Sequence, residues 1–512
     1  MDIHYIRIQK NKTKFVYYLL VVMVLIYPFK SHATHDKSTT NKSKTNCELL
    51  NSQPVRYLSK LDGWVLETSL NTYVIVKNEQ GRLLNVYWGF PIVDIEQLDA
   101  GHFPEILSST RFDGGHRSET RGEEYPAQGG PFYDEPCLKV TTESGNRDIV
   151  LKFVSDDIVG NVLEIVLKDI QSDIYVSLIY EVFPECGIIS KKSRILNQSN
   201  EKIVLESAQS GVWQLPADKD YRLTYLVGRW GSEAHLVSEP LNQGMKVLEE
   251  RRGVTGYKSN PWFAIDYKGQ ATENNGKVWF GTLAWSGNWR ISIEQTYRMH
   301  PRITGGFNTY DFGYLLKPGE ELITPPFYGG FTTNGFGEAS RMLHRLQRNE
   351  IVPGGKEARL RPVFYNSWQT YEVDVTEKNQ MELAEKAADM GVELFLVDDG
   401  WFHLRKETNA GLGDWFVDSD KFPDGLLPLS RYVNSLGMDF GLWVEPEMVN
   451  PNSDLYRNHP DWVLNFAGRP RTEGRGQLVL NLARKDVKEY LFKALDKLVE
   501  ENNVKMFKWD MN

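Results

Sequence analysis

Short apolar runs with a period near two dominate the chain from about Leu61 to Gly330. They are separated by Gly, Asn, Asp and Pro, and the clearest of them cover residues 73–76, 162–167, 174–180, 203–205 and 278–283. A period near two with frequent turn residues is typical of antiparallel β-sheet. So many strands in succession predict a large β-sandwich, which we place at residues 47–334.

The periodicity becomes helical at Gly337, and Pro353, Gly354 and Gly355 then end the helix, which defines a linker helix within residues 335–355. Strands and helices alternate over the remaining residues, 356–512. Strand-like runs cover residues 362–368, 393–399, 439–445, 477–480 and 505–510, and amphipathic helices cover residues 377–390, 426–436 and 486–501.

Repeated β–α units with right-handed crossovers form either a closed barrel or an open doubly wound sheet. No GxGxxG turn or P-loop follows the first strand, so the barrel is favoured. A (β/α)8 barrel needs eight strands, and residues 356–512 supply about four principal ones. The expected fold is therefore an antiparallel β domain followed by the first half of a TIM barrel, and the chain is expected to be a fragment of a longer protein.

Composition narrows the classes of partner. The formal charge of −9 provides no basic field for a phosphate backbone, so the chain is not expected to bind nucleic acid. Its 41% hydrophobic and 25% charged residues are those of a soluble globular protein. The 14 Trp, 24 Tyr and 24 Phe offer flat apolar surface that can stack on sugar rings or pack inside sheets.

The N-terminus resembles a secretory signal peptide. Lys10, Lys12 and Lys14 precede the apolar run 15–26, and small residues follow at 31–33. The run is shorter than the ~20 residues that span a bilayer, so we expect cleavage after Ala33 and a secreted or periplasmic protein with no stable membrane span. An uncleaved anchor is the alternative. Residues 34–46 are almost all polar and are expected to form a linker without regular structure.

Cys47, Cys137 and Cys186 make an odd count with no CxxC spacing, which supports neither a zinc site nor a dense disulfide framework. One disulfide between two of them is possible, because exported proteins enter an oxidising environment.

Functional side chains follow the ends of the strands in residues 356–512. They are Trp368, the pair Asp398 and Asp399, Trp443, and Lys508 with Asp510. Because parallel strands share one end, these groups are expected to converge on one mouth, where barrel enzymes carry their active sites.

Strand alternation places Lys508, Asp510 and Asn512 on one side of the last strand. A lysine beside Asp510 would keep the carboxylate ionised, as a nucleophile requires. The alternative is a purely structural Lys–Asp pair.

Asp398 and Asp399 are adjacent, so only a bend, which Gly400 permits, would turn both toward the mouth. Two inward carboxylates could accept hydrogen bonds from sugar hydroxyls or bind a metal ion. A helix N-cap is the third alternative.

Seven short motifs, taken in order, resemble those of glycoside hydrolase family 36, the microbial α-galactosidase type. They are FYNSW at 364–368, LVDDGW at 396–401, GDW at 413–415, KFP at 421–423, FGLWVEPEM at 440–448, HPDW at 459–462 and KWDMN at 508–512. The resemblance covers nearly all of residues 363–512. It also implies that the β-rich part is that family's N-terminal supersandwich.

The resemblance implies a retaining glycosidase that releases terminal α-linked galactose through a covalent glycosyl-enzyme, with Asp510 as the nucleophile. The sugar-binding residues that it implies are Trp368, Asp398, Asp399, Trp443, Arg475, Lys508 and Asn512. It implies neither a metal nor an organic cofactor. Glu445 and Glu447 are implied to be structural support. The family's acid/base follows a later strand that this chain does not reach, so the chain is expected to be inactive.

Three further questions stay open. The chain could bind galactosides without turnover, or it could be an α-N-acetylgalactosaminidase or a galactosyl-transferring relative. The resemblance also implies a tetramer in which an N-terminal loop reaches a neighbour's pocket. Residues 111–131, rich in Gly, Arg and Glu, are a candidate for that loop, and a flexible surface turn is the alternative.

Overall fold

The computed structural model describes residues 53–99, 122–130, 132–218, 220–296, 299–357 and 360–512. The predicted signal peptide, its anchor alternative, the polar linker and Cys47 lie outside the described residues, as does most of the predicted loop 111–131. The chain divides into two compact units, one ending at Lys356 and one comprising Glu357–Asn512.

The first unit is built from antiparallel strands. In chain order they are β1 Val55–Leu58, β2 Gly63–Glu67, β3 Thr72–Lys77, β4 Leu83–Gly89, β5 Leu138–Thr142, β6 Leu151–Val159, β7 Val162–Asp169, β8 Ile174–Phe183, β9 Ile188–Asn197, β10 Ile203–Gln214, β11 Tyr221–Arg229, β12 Ser232–Pro240, β13 Gly244–Glu250, β14 Ser259–Tyr267, β15 Val278–Leu283, β16 Trp289–Gln295, β17 Pro301–Phe307, β18 Tyr314–Leu316, β19 Glu321–Ile323 and β20 Phe327–Thr332.

These strands form three sheets. The first has the order β1-β2-β3-β4, the second has the order β13-β16-β17-β10-β18 with β5 also paired to β10, and the third has the order β12-β11-β14-β15-β20-β9-β8-β7-β6 with β19 paired to β9. Residues of all three sheets contribute to one large hydrophobic cluster. The predicted antiparallel β-sandwich is therefore confirmed.

Alternation explains how single strands bury one face. In β7, Leu163, Ile165 and Leu167 are buried, while the residues between them are only half-buried. Successive side chains of a strand point to opposite faces, so this run places its leucines and isoleucine in the core. The strand predicted from the two-residue periodicity of this run is therefore observed.

The two described cysteines lie in separate clusters. Cys137 packs in the large sandwich core, and Cys186 packs with residues around the linker helix. No disulfide joins these two within the described part of the chain.

Helix α1, Gly335–Leu346, follows β20 and corresponds to the predicted linker helix. It buries Ala339, Met342 and Leu346 in the same cluster as Cys186, because residues three and four apart share a helix face. A π-helical turn, Gln347–Ile351, ends the helix shortly before Pro353.

The second unit alternates strands and helices. Its strands are β21 Phe364–Asn366, β22 Leu394–Val397, β23 Asp439–Val444, β24 Met448–Val449, β25 Leu478–Val479 and β26 Met506–Trp509. Its helices are α2 Trp368–Tyr371, α3 Glu377–Asp389, α4 Leu427–Ser435, α5 Asp454–Asn458 and α6 Lys485–Asn502.

Strands β21, β22, β23 and β26 form a parallel sheet in that order, and β24 pairs with β25 separately. Phe395, Val397, Phe440 and Leu442 of the central strands are fully buried. Central strands covered on both faces are typical of parallel β/α folds, which explains why they form continuous apolar runs in the sequence. The predicted parallel β/α arrangement after an antiparallel β domain is confirmed.

Within the described residues, no helix is both long enough and apolar enough to cross a bilayer.

Candidate active site

The carboxyl ends of four parallel strands carry the candidate residues. The register pairs Asn366 with Leu396 and Val397 with Leu442, so the segments that follow β21, β22 and β23 start at neighbouring points. Trp443 pairs with Lys508, which brings the end of β26 to the same edge. The convergence predicted from the shared end of parallel strands is present.

Asp398 is buried and ion-paired. Its Oδ2 accepts hydrogen bonds from Lys508 Nζ at 2.7 Å and Asn366 Nδ2 at 2.5 Å. Its Oδ1 accepts the backbone N–H of Asp399 at 2.9 Å. The carboxylate that Lys508 contacts is thus Asp398, whereas the strand alternation suggested Asp510. Strand β23 separates β26 from β22 in the sheet, and the Lys508 side chain spans it to reach Asp398.

Asp399 is held by a residue that the sequence reasoning missed. Arg405 donates from Nε to Asp399 Oδ1 at 2.8 Å and from Nη2 to Asp399 Oδ2 at 2.7 Å. Both side chains are buried. A bidentate arginine–carboxylate pair fixes the plane of the carboxylate as well as its charge. Arg405 lies in an irregular segment, so no periodicity singles it out.

The chain bends directly after β22, at this pair of aspartates. Gly400 has φ of +113°, a conformation that side-chain-bearing residues rarely adopt. No helix starts at Asp398 or Asp399, so the N-cap alternative is wrong.

Asp510 is an ionised carboxylate with three donors. Trp443 Nε1 and Asn512 Nδ2 donate to its Oδ2 at 3.1 and 2.8 Å, and the backbone N–H of Met511 donates to its Oδ1 at 3.0 Å. Burial by itself would raise the pKa of Asp510, but these hydrogen bonds, together with the positive charge of Lys508, hold that pKa below its ordinary value. A nucleophilic carboxylate needs to be ionised, and this environment favours the charged form.

The tryptophans occupy different positions. Trp443 is buried, and its ring lies parallel to that of Phe402 at 6.1 Å, with only its Nε1 directed at Asp510. Trp368 is half-buried at the start of α2, and its backbone N–H donates to Asn366 Oδ1 at 2.8 Å.

Glu445 is the fourth carboxylate at this edge, and it is fully buried. It accepts the backbone N–H of Asn512 and a 3.3 Å hydrogen bond from Gln477 Nε2. Burial raises the pKa of Glu445, and the negative charge of Asp510 adds to that rise. Glu447 instead accepts from Trp509 Nε1 at 2.7 Å.

Arg475 lies in an exposed turn with φ of +54°. Its positive charge acts on Glu445, lowering that residue's pKa against the effect of burial. The next residue, Gly476, accepts a 2.7 Å hydrogen bond from Asn450 Nδ2 through its carbonyl.

No group of three or more His, Cys, Asp or Glu side chains is arranged to hold a metal ion among the described residues. Asp398 and Asp399 have Lys508 and Arg405 as counter-charges. Their arrangement favours hydroxyl recognition over cation binding.

Comparison with known proteins agrees with this architecture of an antiparallel β domain followed by a parallel β/α unit. The glycosyl hydrolase family 36 N-terminal domain matches residues 81–317, and the Melibiase family matches residues 322–512. Together these matches cover most of the sequence. The chain belongs to glycoside hydrolase family 36.

Individual relatives are similar along nearly the whole chain. Alpha-galactosidase AgaA of Geobacillus stearothermophilus is 34% identical over 482 residues, which are 90% of this chain and 66% of that protein. Its crystal structure superposes with a TM-score of 0.81, covering 88% of this chain and 66% of AgaA. The α-galactosidase of Lactobacillus brevis is 30% identical, with a TM-score of 0.82 and coverage of 89% and 64%. This chain therefore spans just under two thirds of the length of these relatives.

Proposed function

We propose that this chain carries the nucleophile and the galactose-binding residues of a retaining α-galactosidase, an enzyme that releases terminal α-linked galactose from oligosaccharides. Membership of family 36 supports the proposal, and variants of AgaA have been solved in complex with raffinose and with stachyose. The observation that carries it is the environment of Asp510, an ionised carboxylate that accepts hydrogen bonds from Trp443 and Asn512.

In this mechanism the Asp510 carboxylate attacks the anomeric carbon of the galactoside while the bond from that carbon to the leaving oxygen breaks. The resulting glycosyl-enzyme is then hydrolysed by water. A second carboxyl group, about 5–5.5 Å from the nucleophile, protonates the leaving oxygen and activates the water. Asp398 and Asp399 are ion-paired and Glu445 is fully buried, so we assign the proton donor to none of these three.

The remaining roles follow from charge and shape. Asp398 and Asp399 have fixed acceptor oxygens for sugar hydroxyls, and Lys508 contributes a donor beside them. Trp368 forms an apolar wall, the buried Trp443 contributes its Nε1 donor beside Asp510, and Arg475 and Asn512 add donors at the rim. No metal and no organic cofactor enters this scheme.

Covalent trapping tests the nucleophile without requiring a proton donor. In a fluoro-galactosyl fluoride the leaving group is fluoride, which departs without protonation. The first step then depends on Asp510 and needs no proton donor. We expect the mass of the purified chain to rise by one fluoroglycosyl group, located by peptide mapping on Asp510. Asp510→Asn should remain unlabelled. Labelling of another residue, or no labelling of a chain that binds galactose, would contradict the assignment.

The alternative function is galactoside binding without turnover. Two buried carboxylates neutralised by Lys508 and Arg405 form an arrangement suited to holding hydroxyls. This function predicts calorimetric binding of galactose with no covalent adduct in the trapping experiment.

Preference between galactose and N-acetylgalactosamine separates the α-galactosidase from the α-N-acetylgalactosaminidase alternative. We expect galactose to bind more tightly in parallel calorimetric titrations. Tighter binding of N-acetylgalactosamine would favour the other activity.

Export through the signal peptide at residues 1–33 also remains a proposal, supported by the lysines and the apolar run at the N-terminus. We expect N-terminal sequencing of the protein from the medium or periplasm to begin at Thr34. Recovery of the uncleaved chain in the membrane fraction would support the anchor instead.

Assembly into a homotetramer, with residues 111–131 reaching a neighbour's pocket, is proposed from the family resemblance. Light scattering of the purified chain measures the mass directly, and deletion of residues 111–121 should then weaken galactose binding.

A further inference from the structure

A buried chain of polar contacts connects Asp399 to the turn that carries Arg475. It starts at Arg405, whose side chain is 2% exposed and whose guanidinium lies 5.4 Å from the ring centroid of Phe402. Nε and Nη2 of Arg405 donate hydrogen bonds to the two carboxylate oxygens of Asp399. Its Nη1 donates to the carbonyls of Thr408 and Ala410 at 2.8 and 2.9 Å.

Asn450 is the second member of this chain of contacts, and it is fully buried. Its Oδ1 accepts from Arg405 Nη1 at 3.1 Å and from the backbone N–H of Leu412 at 2.9 Å. Its Nδ2 donates to the carbonyl of Gly476 at 2.7 Å. Because Gly476 follows Arg475 directly, Asn450 holds the backbone of the turn beside Arg475.

We propose that Arg405 and Asn450 form a coupling unit of two positioning residues, through which Asp399 and Arg475 act on galactose together. The proposal rests on the proposed function, since it takes both Asp399 and Arg475 as galactose-binding residues. A carboxylate and a guanidinium that must meet the same small sugar need a fixed separation, and a buried hydrogen-bonded network provides it.

Both ends of the unit have supports of their own, which makes a folding role separable from a positioning role. Lys421 Nζ donates to the carbonyls of Gly400 and Val373 at 2.7 and 2.8 Å, and so holds the loop after Asp399. Gly474 and Gln477 exchange two backbone hydrogen bonds across the Arg475 turn. Loss of the Asn450 contact to Gly476 should therefore shift the turn without unfolding it.

Asn450→Asp is the sharpest variant, because an aspartate keeps the acceptor for Arg405 and Leu412 but cannot donate to the Gly476 carbonyl. Asn434→Asp is its matched control, since Asn434 Nδ2 donates to the carbonyl of Met438 at 2.9 Å at a position remote from the pocket. Asn450→Ser, which shortens the side chain, provides a second variant if the first folds poorly. Circular dichroism establishes folding for each.

The measurement is a double-mutant cycle of Asp399→Asn and Arg475→Met, with dissociation constants for the iminosugar 1-deoxygalactonojirimycin from calorimetry on the full chain. In the wild-type background we expect non-additivity of about fivefold or more. In Asn450→Asp we expect the two effects to become additive within about twofold, with Arg475→Met losing most of its effect and Asp399→Asn keeping its own. Asn434→Asp should leave the non-additivity unchanged.

The outcomes separate the two proposals. A cycle that is additive in the wild-type background, or equally non-additive in Asn450→Asp, overturns the coupling unit while galactose recognition stands. Failure of the wild-type chain to bind the iminosugar overturns the proposed function, and the coupling unit with it.

Discussion

At the scale of single residues, Trp443 is one of the three donors that hold the pKa of the Asp510 carboxylate below its ordinary value. Trp443 is almost completely buried, and its indole reaches Asp510 through Nε1. Trp415 lies in the same core and is also buried, but its Nε1 makes no hydrogen bond within the described residues. Comparing variants of these two tryptophans therefore separates the effect of the hydrogen bond from the effect of ring size.

Trp443→Phe should slow covalent labelling of Asp510 and raise the pH at which labelling begins. The variant removes a donor that lowers the pKa of Asp510, so the carboxylate ionises at higher pH. A hydrogen bond to a charged group contributes about 1.5–3 kcal/mol, so at a pH below the raised pKa the ionised fraction of Asp510, and with it the labelling rate, should fall roughly tenfold or more. The check is the labelling rate measured against pH, with Trp415→Phe as the control. Equal profiles for the two variants would assign the effect to packing.

Glu445 is the opposite case, a carboxylate whose ionised form is penalised. Burial raises its pKa, so the folded state is stabilised at low pH and loses that contribution as the pH rises through the pKa of the folded protein. The partner Gln477 has a buried Oε1 that accepts no hydrogen bond in the described structure. An amide at position 445 could donate a hydrogen bond to this oxygen.

Glu445→Gln should therefore stabilise the chain at pH 7 and have little effect near pH 4. The reason is that Gln does not ionise, while its amide can donate to Gln477. Thermal unfolding at both pH values measures the difference, and we expect a melting temperature higher by a few degrees at pH 7 only. Destabilisation at pH 7 would show that the ionised carboxylate is needed by its neighbours.

At the scale of elements, the bend after β22 positions both aspartates. A side chain at Gly400 would meet the backbone of Val373, with a Cβ placed 2.5 Å from its carbonyl oxygen. Gly437 also has a positive φ, of +86°, but a Cβ there would meet nothing within 4 Å. The two glycines share backbone strain and differ in steric contact.

Gly400→Ala should lower both stability and galactose affinity, whereas Gly437→Ala should lower stability only. The conformation alone costs about 1–2 kcal/mol in either variant, and the clash with Val373 adds to it at Gly400. The shifted loop should also move Asp398 and Asp399 out of position. Chemical unfolding measures the stability of both variants, and calorimetry measures their affinity for galactose. Equal affinities would show that the bend at Gly400 does not position the galactose-binding residues.

The elements themselves could be predicted from the sequence, because their signals are local. The helix predicted at 377–390 is observed at Glu377–Asp389, and the one predicted at 486–501 at Lys485–Asn502. Asp398, Asp399 and Asp510 were identifiable because they end apolar runs. Arg405 and Asn450 were not, since they lie in irregular segments and meet their partners only after folding. The partner of Lys508 depended likewise on the order of parallel strands, which no local pattern encodes.

At the scale of the whole molecule, one buried cation connects the three sheets of the first unit. Lys191 of β9 donates from Nζ to Tyr73 in β3 at 2.6 Å and to the carbonyl of Val212 in β10 at 2.7 Å. It also contacts the buried Glu124 at 2.6 Å. Burial lowers the pKa of Lys191, against the attraction of Glu124. A charge enclosed in this way is stabilising only while its partners remain.

Lys191→Met should be strongly destabilising, by roughly 3–5 kcal/mol, because Glu124 would keep a buried charge without its counter-ion. Adding Glu124→Gln should recover much of that loss, since the remaining groups are then neutral and of similar size. Urea unfolding of the full chain measures both effects, and hydrogen exchange should assign them to residues before Lys356. Lys168→Met serves as the control, because its partner Asp173 is exposed and the pair lies at the surface. A double variant no more stable than Lys191→Met would mean that the lysine acts through its contacts with Tyr73 and Val212, and that the three sheets depend on those hydrogen bonds more than on charge balance.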